Sequence, residues 1–268
     1  MDQPQDSPVS YENQAALFDE RAGLPPHAAE AVASALEEIV GMPEGQRWLE
    51  VGAGTGNLIL PLLRRPIRYV GFDRSPGMLH FFRLRAAKAG LHPDLRVADG
   101  NDPWPAADGS VDVVFSARAL HHLDLSRVVP EVRRVLSPGG WLVVGRVRRP
   151  PDSPRAVLRR RMRQLLNDEL GYTGRSGERH MEAVFGALQA RGAIRQPPRI
   201  AATWTKDHAP ADSLASWREK SGLAGLGLLP DMKAHILGEL EAWARTEFGD
   251  LHRPLPQDES FEIQAIRL

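Results

Sequence analysis

Gly52-Ala53-Gly54-Thr55-Gly56 follows directly on the short run Trp48–Val51 (WLEV), whose single polar residue is Glu50. Glycines let a chain turn tightly and let a ligand approach the backbone, and amides at the start of a following helix face that ligand. A second carboxylate, Asp73, stands 17 residues beyond Gly56, at the end of the apolar run Tyr69–Phe72. A carboxylate there can accept hydrogen bonds from both hydroxyls of a ribose. Spacing narrows the ligand further. A dinucleotide fingerprint, G-x-G-x-x-G, needs glycine at position 57, where Asn57 stands, and no Gly-Lys-Ser/Thr follows to cradle phosphates. What remains, G-x-G-x-G, suits a nucleoside without a pyrophosphate. A plain tight turn, with Asp73 as a helix-capping acid, is the alternative that the residues alone leave open.

Two further groups carry chemistry. His121 and His122 follow the run Val111–Ser116 and are candidates for a general base or for positioning a reacting molecule; packing is the alternative. Arg118, just before them, fits either an anionic ligand or a surface charge. Arg146, Arg148, Arg149, Arg155, Arg159, Arg160, Arg161 and Arg163 form the densest charge cluster in the chain. Arg155, Arg159 and Arg163 recur on one helical face, expected opposite the Leu158–Met162–Leu165 stripe. Such a run is usually a solvated face, and an anionic ligand or RNA is the sharper alternative.

The elements that must position these residues alternate between strand and helix. Helical spacing of Ala28, Val32, Ala35, Leu36 and Ile39 predicts an amphipathic helix up to Val40. Strands are expected at Trp48–Val51, Tyr69–Phe72, Leu95–Ala98, Val111–Ser116 and Trp141–Val147. A helix is expected from about Asn57, another after Ser75 as N-cap with Pro76 in its first turn, and a third capped by Ser126 and running to Leu136. Ser137-Pro138-Gly139-Gly140 reads as a turn. Repeated βα units imply a parallel sheet covered on both faces. Beyond Arg149, helices are expected at Val157–Glu169, around Met181–Leu188, at Asp212–Lys220 and at Met232–Phe248, with strands at Ile200–Thr205 and Ser260–Leu268. Trp204 and Trp217 fit core packing or an aromatic pocket.

With these elements in place, the motifs become specific. Trp48–Leu58 (WLEVGAGTGNL) resembles motif I of the class I S-adenosylmethionine-dependent methyltransferases, and Val70–Leu79 (VGFDRSPGML) resembles their second motif. Val97–Trp104, Val111–Leu123 and Leu136–Val144 resemble the later core motifs in the same order. The match is closest to the small-molecule branch that includes the ubiquinone/menaquinone-biosynthesis methyltransferases, and it covers about residues 45–147. The resemblance implies a Rossmann-like α/β fold with a mostly parallel seven-stranded sheet, helices on both faces and helical cap insertions. It implies S-adenosyl-L-methionine as cofactor, held by Glu50, Gly52, Ala53, Gly54, Gly56, Asp73 and Arg74. Met78 would lie near adenine, Asp99 would reach its amino group with Gly100 nearby, and the methyl would point towards Ser116–His122. In isolation, a methionine such as Met78 is more often a core residue than a cofactor contact, and Asp99 reads equally as a turn former beside Gly100. Tyr11, Phe18 and Arg21 occupy the position of a lid, with Tyr11 and Arg21 as candidate donor contacts.

Expected domains are 1–45 (lid and helix), 46–149 (donor-binding core) and 150–268 (cap segments and the last two strands). The partner expected is a small organic acceptor methylated at O, N or C. An RNA methyltransferase using the 146–163 arginines, or an inactive donor-binding regulatory protein, are the alternatives. Zero net charge provides no global field for nucleic acid or membrane, so nucleic acid is not expected. The absence of cysteine excludes disulfides, thiolate metal sites and a cysteine nucleophile, and no metal is expected. A polar start and strand-sized apolar runs point to a cytoplasmic protein, and thirty arginines against four lysines suggest a GC-rich bacterial genome.

Overall fold

The computed structural model describes residues 24–173 and 177–268. The proposed lid residues Tyr11, Phe18 and Arg21 lie outside them. In chain order the elements are α1 (Pro26–Val40), β1 (Arg47–Val51), β2 (Arg68–Asp73), α2 (Pro76–Lys88), β3 (Asp94–Val97), β4 (Val111–Ala117), α3 (Leu125–Val135) and β5 (Leu136–Arg148). They continue with α4 (Pro154–Leu170), α5 (Gly177–Gln189), β6 (Ile194–Arg195), β7 (Arg199–His208) and α6 (Pro210–Arg218). The chain ends with β8 (Gly222–Leu223), β9 (Leu226–Gly227), α7 (Pro230–Phe248) and β10 (Leu255–Arg267).

The main sheet has the order β3-β2-β1-β4-β5-β10-β6, with β7 also paired to β10. β1 pairs in parallel with β2 and β4, β2 with β3, and β4 with β5, whereas β10 runs antiparallel to β6. This is a mostly parallel, Rossmann-like sheet of eight strands, one more than expected. The addition is β6, whose two residues are too few to show any alternation in sequence.

Three local expectations are corrected. No α-helix starts at Asn57; turns lead into a single 3-10 turn, Leu62–Arg64. Pro61 has no N–H to offer the carbonyl of Asn57, so four-residue bonds (Leu60 N to Gly56 O, 3.1 Å; Leu63 N to Ile59 O, 3.2 Å) mix with a three-residue one (Leu62 N to Ile59 O, 2.9 Å). Asp124, and not Ser126, caps α3: its carboxylate accepts the Ser126 N–H at 2.9 Å. Residues 137–140 form a bulge within β5, because Val111 pairs with Leu136 while Val113 pairs with Trp141. Gly139 takes φ 76° there, and Asp112, opposite the bulge, accepts from Ser137 Oγ at 2.9 Å and from Arg47.

The described residues divide into two compact units. One comprises 24–147, 177–203 and 260–268. Its core places Leu49, Val51, Phe72, Val114, Leu142 and Ile266 of the sheet against Val128, Val132 and Val135 of α3 and Val184, Phe185 and Leu188 of α5. The valines of α3 recur at helical spacing, which turns its apolar stripe onto the sheet. The other unit comprises 148–173 and 204–259, built from α4, α6 and α7 around Leu158, Met162, Leu165, Leu214, Ile236 and Leu240. Trp217 is 6% exposed within that core, which favours its packing reading. The β8–β9 hairpin turns on Ala224 and Gly225, both at positive φ (53° and 85°), as a two-residue hairpin loop requires. No helix among the described residues is long and apolar enough to cross a membrane.

Candidate active site

Parallel pairing brings the C-terminal ends of β1, β2, β3 and β4 side by side, and the sequence-predicted residues gather there. Glu50, one residue before the end of β1, is 4% exposed and stands in register with Gly71 of β2 and Phe115 of β4. Tyr69, Gly71 and Asp73 alternate onto one face of β2. A Cβ at Gly71 would lie 2.4 Å from the Tyr69 hydroxyl and 3.0 Å from Ala53 Cβ, so glycine leaves the space through which that hydroxyl donates to Glu50. Burial pushes the Glu50 carboxyl up to about 8, opposed by the Tyr69 hydrogen bond and reinforced by Asp73. Burial and the neighbouring Glu50 raise Tyr69 well above its ordinary value, so its hydroxyl remains a donor.

A stability consequence follows. A carboxyl whose folded pKa lies above its unfolded value keeps its proton longer in the native state, so stability is fully present below the unfolded value and is lost as pH rises through the folded one. Between about pH 4.5 and about 8, the ligand-free protein should lose up to about 1.4 kcal/mol per pH unit through Glu50. Urea unfolding across that range checks this: Glu50→Gln should have a visibly flatter pH profile than wild type, and parallel profiles would contradict it.

The glycine loop is tied to β2. The N–H groups of Gly52 and Ala53 both donate to the Phe72 carbonyl at 2.9 Å, and Gly56 N donates to Ala53 O at 3.2 Å. Gly52 and Gly56 adopt φ 73° and 71°, and a Cβ on either would lie 2.2 Å from Ala119 Cβ or from the Phe82 ring, respectively. Gly54, at φ 54°, differs: its nearest neighbour would be a loop carbonyl at 4.0 Å. The two outer glycines are thus packed from behind, while the middle one faces open space. That is the shape of a backbone cradle.

Asp73 closes the cradle. Its Oδ2 accepts from Gly54 N at 3.0 Å and its Oδ1 from Ser75 N at 2.9 Å. Each carboxylate oxygen offers about two acceptor sites, so capacity remains for ribose hydroxyls. Burial raises the pKa of Asp73, and the N–H groups of Ser75 and Gly54 work against that rise. Ser75 caps α2 as expected, accepting from the N–H of the buried Met78 at 3.2 Å. Arg74 is exposed beside it.

Ala98 N donates to the Asp73 carbonyl at 3.1 Å, which brings Asp99 alongside. Asp99 accepts from Asn101 N at 2.9 Å, and the Gly100 carbonyl accepts from Trp104 Nε1 at 3.0 Å. A Cβ at Gly100 would meet Leu123 at 2.6 Å. Asn101 Oδ1 also accepts the Asp124 N–H at 2.8 Å, linking this loop to the end of the histidine segment. Ser116 is fully buried, and its hydroxyl is committed to the Val51 carbonyl at 2.8 Å, clamping β4 to the end of β1.

The chain leaves β4 through Arg118, whose φ of 64° is left-handed, at a cost of about 1–2 kcal/mol for a non-glycine residue. That bend sets Ala119 behind Gly52 and leads into the 3-10 turn Leu120–His122. The two imidazoles lie with centroids 3.9 Å apart and planes tilted by 41°, yet their surroundings differ. His121 lies against the start of α5, where a Cβ on Gly177 would be 3.3 Å from His121 Cβ. His122 is exposed, and its pKa is lowered by partial withdrawal of the ring from water and then by the charge of Arg74.

Sequence reasoning missed Tyr69, Trp104 and Leu123. Alternation along β2 would have placed Tyr69 on the Asp73 face; the other two depend on loop packing that no local pattern announces.

Residues 49–144 match the family model described as "Methyltransferase domain". An uncharacterised methyltransferase of Mycobacterium bovis is 40% identical over 97 residues, covering 36% of this chain and 38% of that protein. A ubiquinone biosynthesis O-methyltransferase of Cereibacter sphaeroides is 33% identical over 111 residues, covering 41% and 44%. The chain therefore spans less than half the length of these relatives. Among solved structures, the YcgJ protein of Bacillus subtilis superposes with a TM-score of 0.56 at 20% identity, covering 88% of this chain and 97% of that one, a likeness of fold. Residues 49–144, which contribute β1 to β5 of the Rossmann-like sheet, thus match a methyltransferase domain. Over part of its length the chain is similar to a ubiquinone biosynthesis O-methyltransferase.

Proposed function

We propose that this chain transfers a methyl group from S-adenosylmethionine to a small organic acceptor. The observation that carries this reading is the cradle of Gly52 to Gly56, closed by the Asp73 carboxylate and open at Gly54. The likeness to a ubiquinone biosynthesis O-methyltransferase supports a small acceptor.

The residues fit the donor group by group. Open backbone at Gly54 admits its amino-acid end, and an ammonium placed beside Glu50 would favour the ionised carboxylate against the burial that keeps it protonated in the ligand-free protein. Asp73 has acceptor capacity for ribose hydroxyls, and Met78 and Asp99 flank the place for adenine. When bound, the donor supplies an electrophilic methyl on a sulfonium and departs as a neutral thioether. The protein's task is to hold the acceptor in line and keep water out. Ser116 and the strained turn at Arg118 fix the segment that faces the acceptor.

His122 is assigned the proton-handling or acceptor-positioning role. It is exposed, and its lowered pKa keeps the imidazole neutral and able to accept a proton near pH 7. His121, packed against α5, supports the turn. His122→Ala should leave the donor Kd unchanged and lower kcat by about 10²–10⁴-fold if the acceptor must lose a proton. A kcat within threefold of wild type on such an acceptor would remove His122 from the chemistry. Equilibrium dialysis with methyl-labelled donor tests the reading itself: one saturable site per chain is expected, and no retained label would contradict it.

A further inference from the structure

Many of the described arginines are ion-paired. Arg47 bonds Asp112, Arg134 bonds Glu131 and Asp108, Arg146 bonds Glu262 and Glu178, Arg195 bonds Glu182, and Arg218 and Arg245 share Glu241. On α4 the pattern splits. Arg160 donates to the Pro151 carbonyl at 3.1 Å, and Arg161 donates to Gln164 at 3.0 Å and lies over the Trp243 ring. The side chains of Arg155, Arg159 and Arg163, one turn apart on the same helix, make no hydrogen bond or ion pair among the described residues.

These three do not lie opposite the apolar stripe of α4, as expected. Arg155 and Arg159 each precede a buried residue, Leu158 and Met162, by three positions, so they flank the stripe as surface neighbours. Arg155 is partly buried, Arg159 and Arg163 are exposed, and the charges of Arg155 and Arg163 both act on Arg159. The carboxylate within reach, Glu259, is already taken: it accepts from Arg149 at 2.6 Å and from Gln257 Nε2 at 2.7 Å. Partial withdrawal from water, followed by the charges of Arg155, Arg149 and Arg163, lowers Arg159 to about 10, with no acid opposing the shift. Arg155 is lowered by burial and by Arg149, and Glu259 offsets only part of this. His208, at the end of β7, feels the same positive charge and is lowered too, by burial first and then by Arg155; it faces Ser213 at 2.8 Å, Asp212, Lys206 and Arg149.

Four guanidiniums thus share one carboxylate. Holding like charges together without partners is unfavourable, and an anion bound among them would relieve that repulsion. A single carboxylate group would balance one of the three free cations. A phosphoryl group carries more charge, and several oxygens suited to the planar guanidinium fork. We propose that Arg155, Arg159 and Arg163 form a binding site for the phosphate or diphosphate group of a small molecule.

The test is calorimetric titration of the full-length protein with inorganic pyrophosphate, inorganic phosphate and acetate at near-physiological ionic strength, without donor. Saturable pyrophosphate binding is expected, tighter than acetate, weakened at least about tenfold by Arg159→Gln or Arg163→Gln and unchanged by Arg160→Gln. Glutamine is a good helix former and removes an unpaired charge, so the ligand-free Tm of Arg159→Gln should equal or exceed that of wild type. That combination separates a ligand site from a structural role. No saturable binding, equal weakening in Arg159→Gln and Arg160→Gln, or acetate binding as tightly as pyrophosphate would overturn the proposal. A single-stranded RNA bound more tightly than pyrophosphate, with steep salt dependence through the same residues, would overturn it in favour of nucleic acid. Pyrophosphate binding without donor binding would sink the methyl-transfer reading and leave this site standing; the converse would do the opposite.

Discussion

A Gly52→Ala substitution should cost about 2–5 kcal/mol of unfolding free energy and abolish donor binding. Two terms add. The residue sits at φ 73°, where a Cβ costs about 1–2 kcal/mol. The added methyl would also stand 2.2 Å from Ala119 Cβ, and overpacking of this kind costs about 1–3 kcal/mol. Neither side chain has a rotamer into which to retreat, so relief must come from the backbone of the loop or of the turn after Arg118. Either movement shifts the N–H of Gly54 away from Asp73 and opens the cradle. Gly54→Ala is the informative contrast. Its Cβ would meet nothing closer than 4.0 Å, so the substitution keeps the φ term, loses the steric one, and projects a methyl into the space assigned to the donor. Chemical denaturation should therefore find Gly54→Ala less destabilised than Gly52→Ala, while both fail to bind donor. Equal stability of the two variants would show that the turn behind Gly52 yields freely.

The second large effect belongs to Asp73. Asp73→Ala removes the acceptor for Gly54 N and Ser75 N together, and each orphaned N–H costs about 1–3 kcal/mol when shielded from water. It also removes both proposed bonds to ribose hydroxyls. At about 1.5–3 kcal/mol for each hydrogen bond to a charged group, donor affinity should fall by about 10²–10⁴-fold. Asp73→Asn separates these roles. Its one carbonyl oxygen can still serve one backbone N–H, so more stability should return than affinity. Thermal melts beside donor titrations of both variants check this, and full donor affinity in Asp73→Asn would remove the charged ribose contact from the site.

The local structure around the glycine loop and the start of α2 was largely legible because its signals are local. A glycine that must take positive φ, a serine before a proline at a helix start, and an acid closing a strand are each dictated within a few residues; Gly52, Ser75 and Asp73 stand where those patterns place them. What depends on partners far along the chain was not legible. The Tyr69–Glu50 hydrogen bond needs the register of β1 against β2 and the missing Cβ of Gly71. The helix expected at Asn57 fails because Pro61 removes one N–H, a cue present in the sequence and outweighed there by the βα rhythm. Asp124 and Ser126 are both competent caps, and only the loop that also bonds Asn101 selects the first. For the arginines, periodicity correctly placed Arg155, Arg159 and Arg163 on one face. It could not tell which arginines of the same helix find partners, and that distinction is what sets these three apart from Arg160 and Arg161.

The reading that joins these features is that the loop from Gly52 to Gly56 and the Asp73 carboxylate together hold S-adenosylmethionine. Isothermal titration of the full-length wild-type protein with S-adenosylhomocysteine tests it most directly, with Asp73→Ala alongside. One site per chain is predicted for wild type, with affinity at least about a hundredfold weaker in Asp73→Ala although the variant remains folded. No saturable heat with wild type, or the same affinity in both proteins, would contradict the assignment of the donor site.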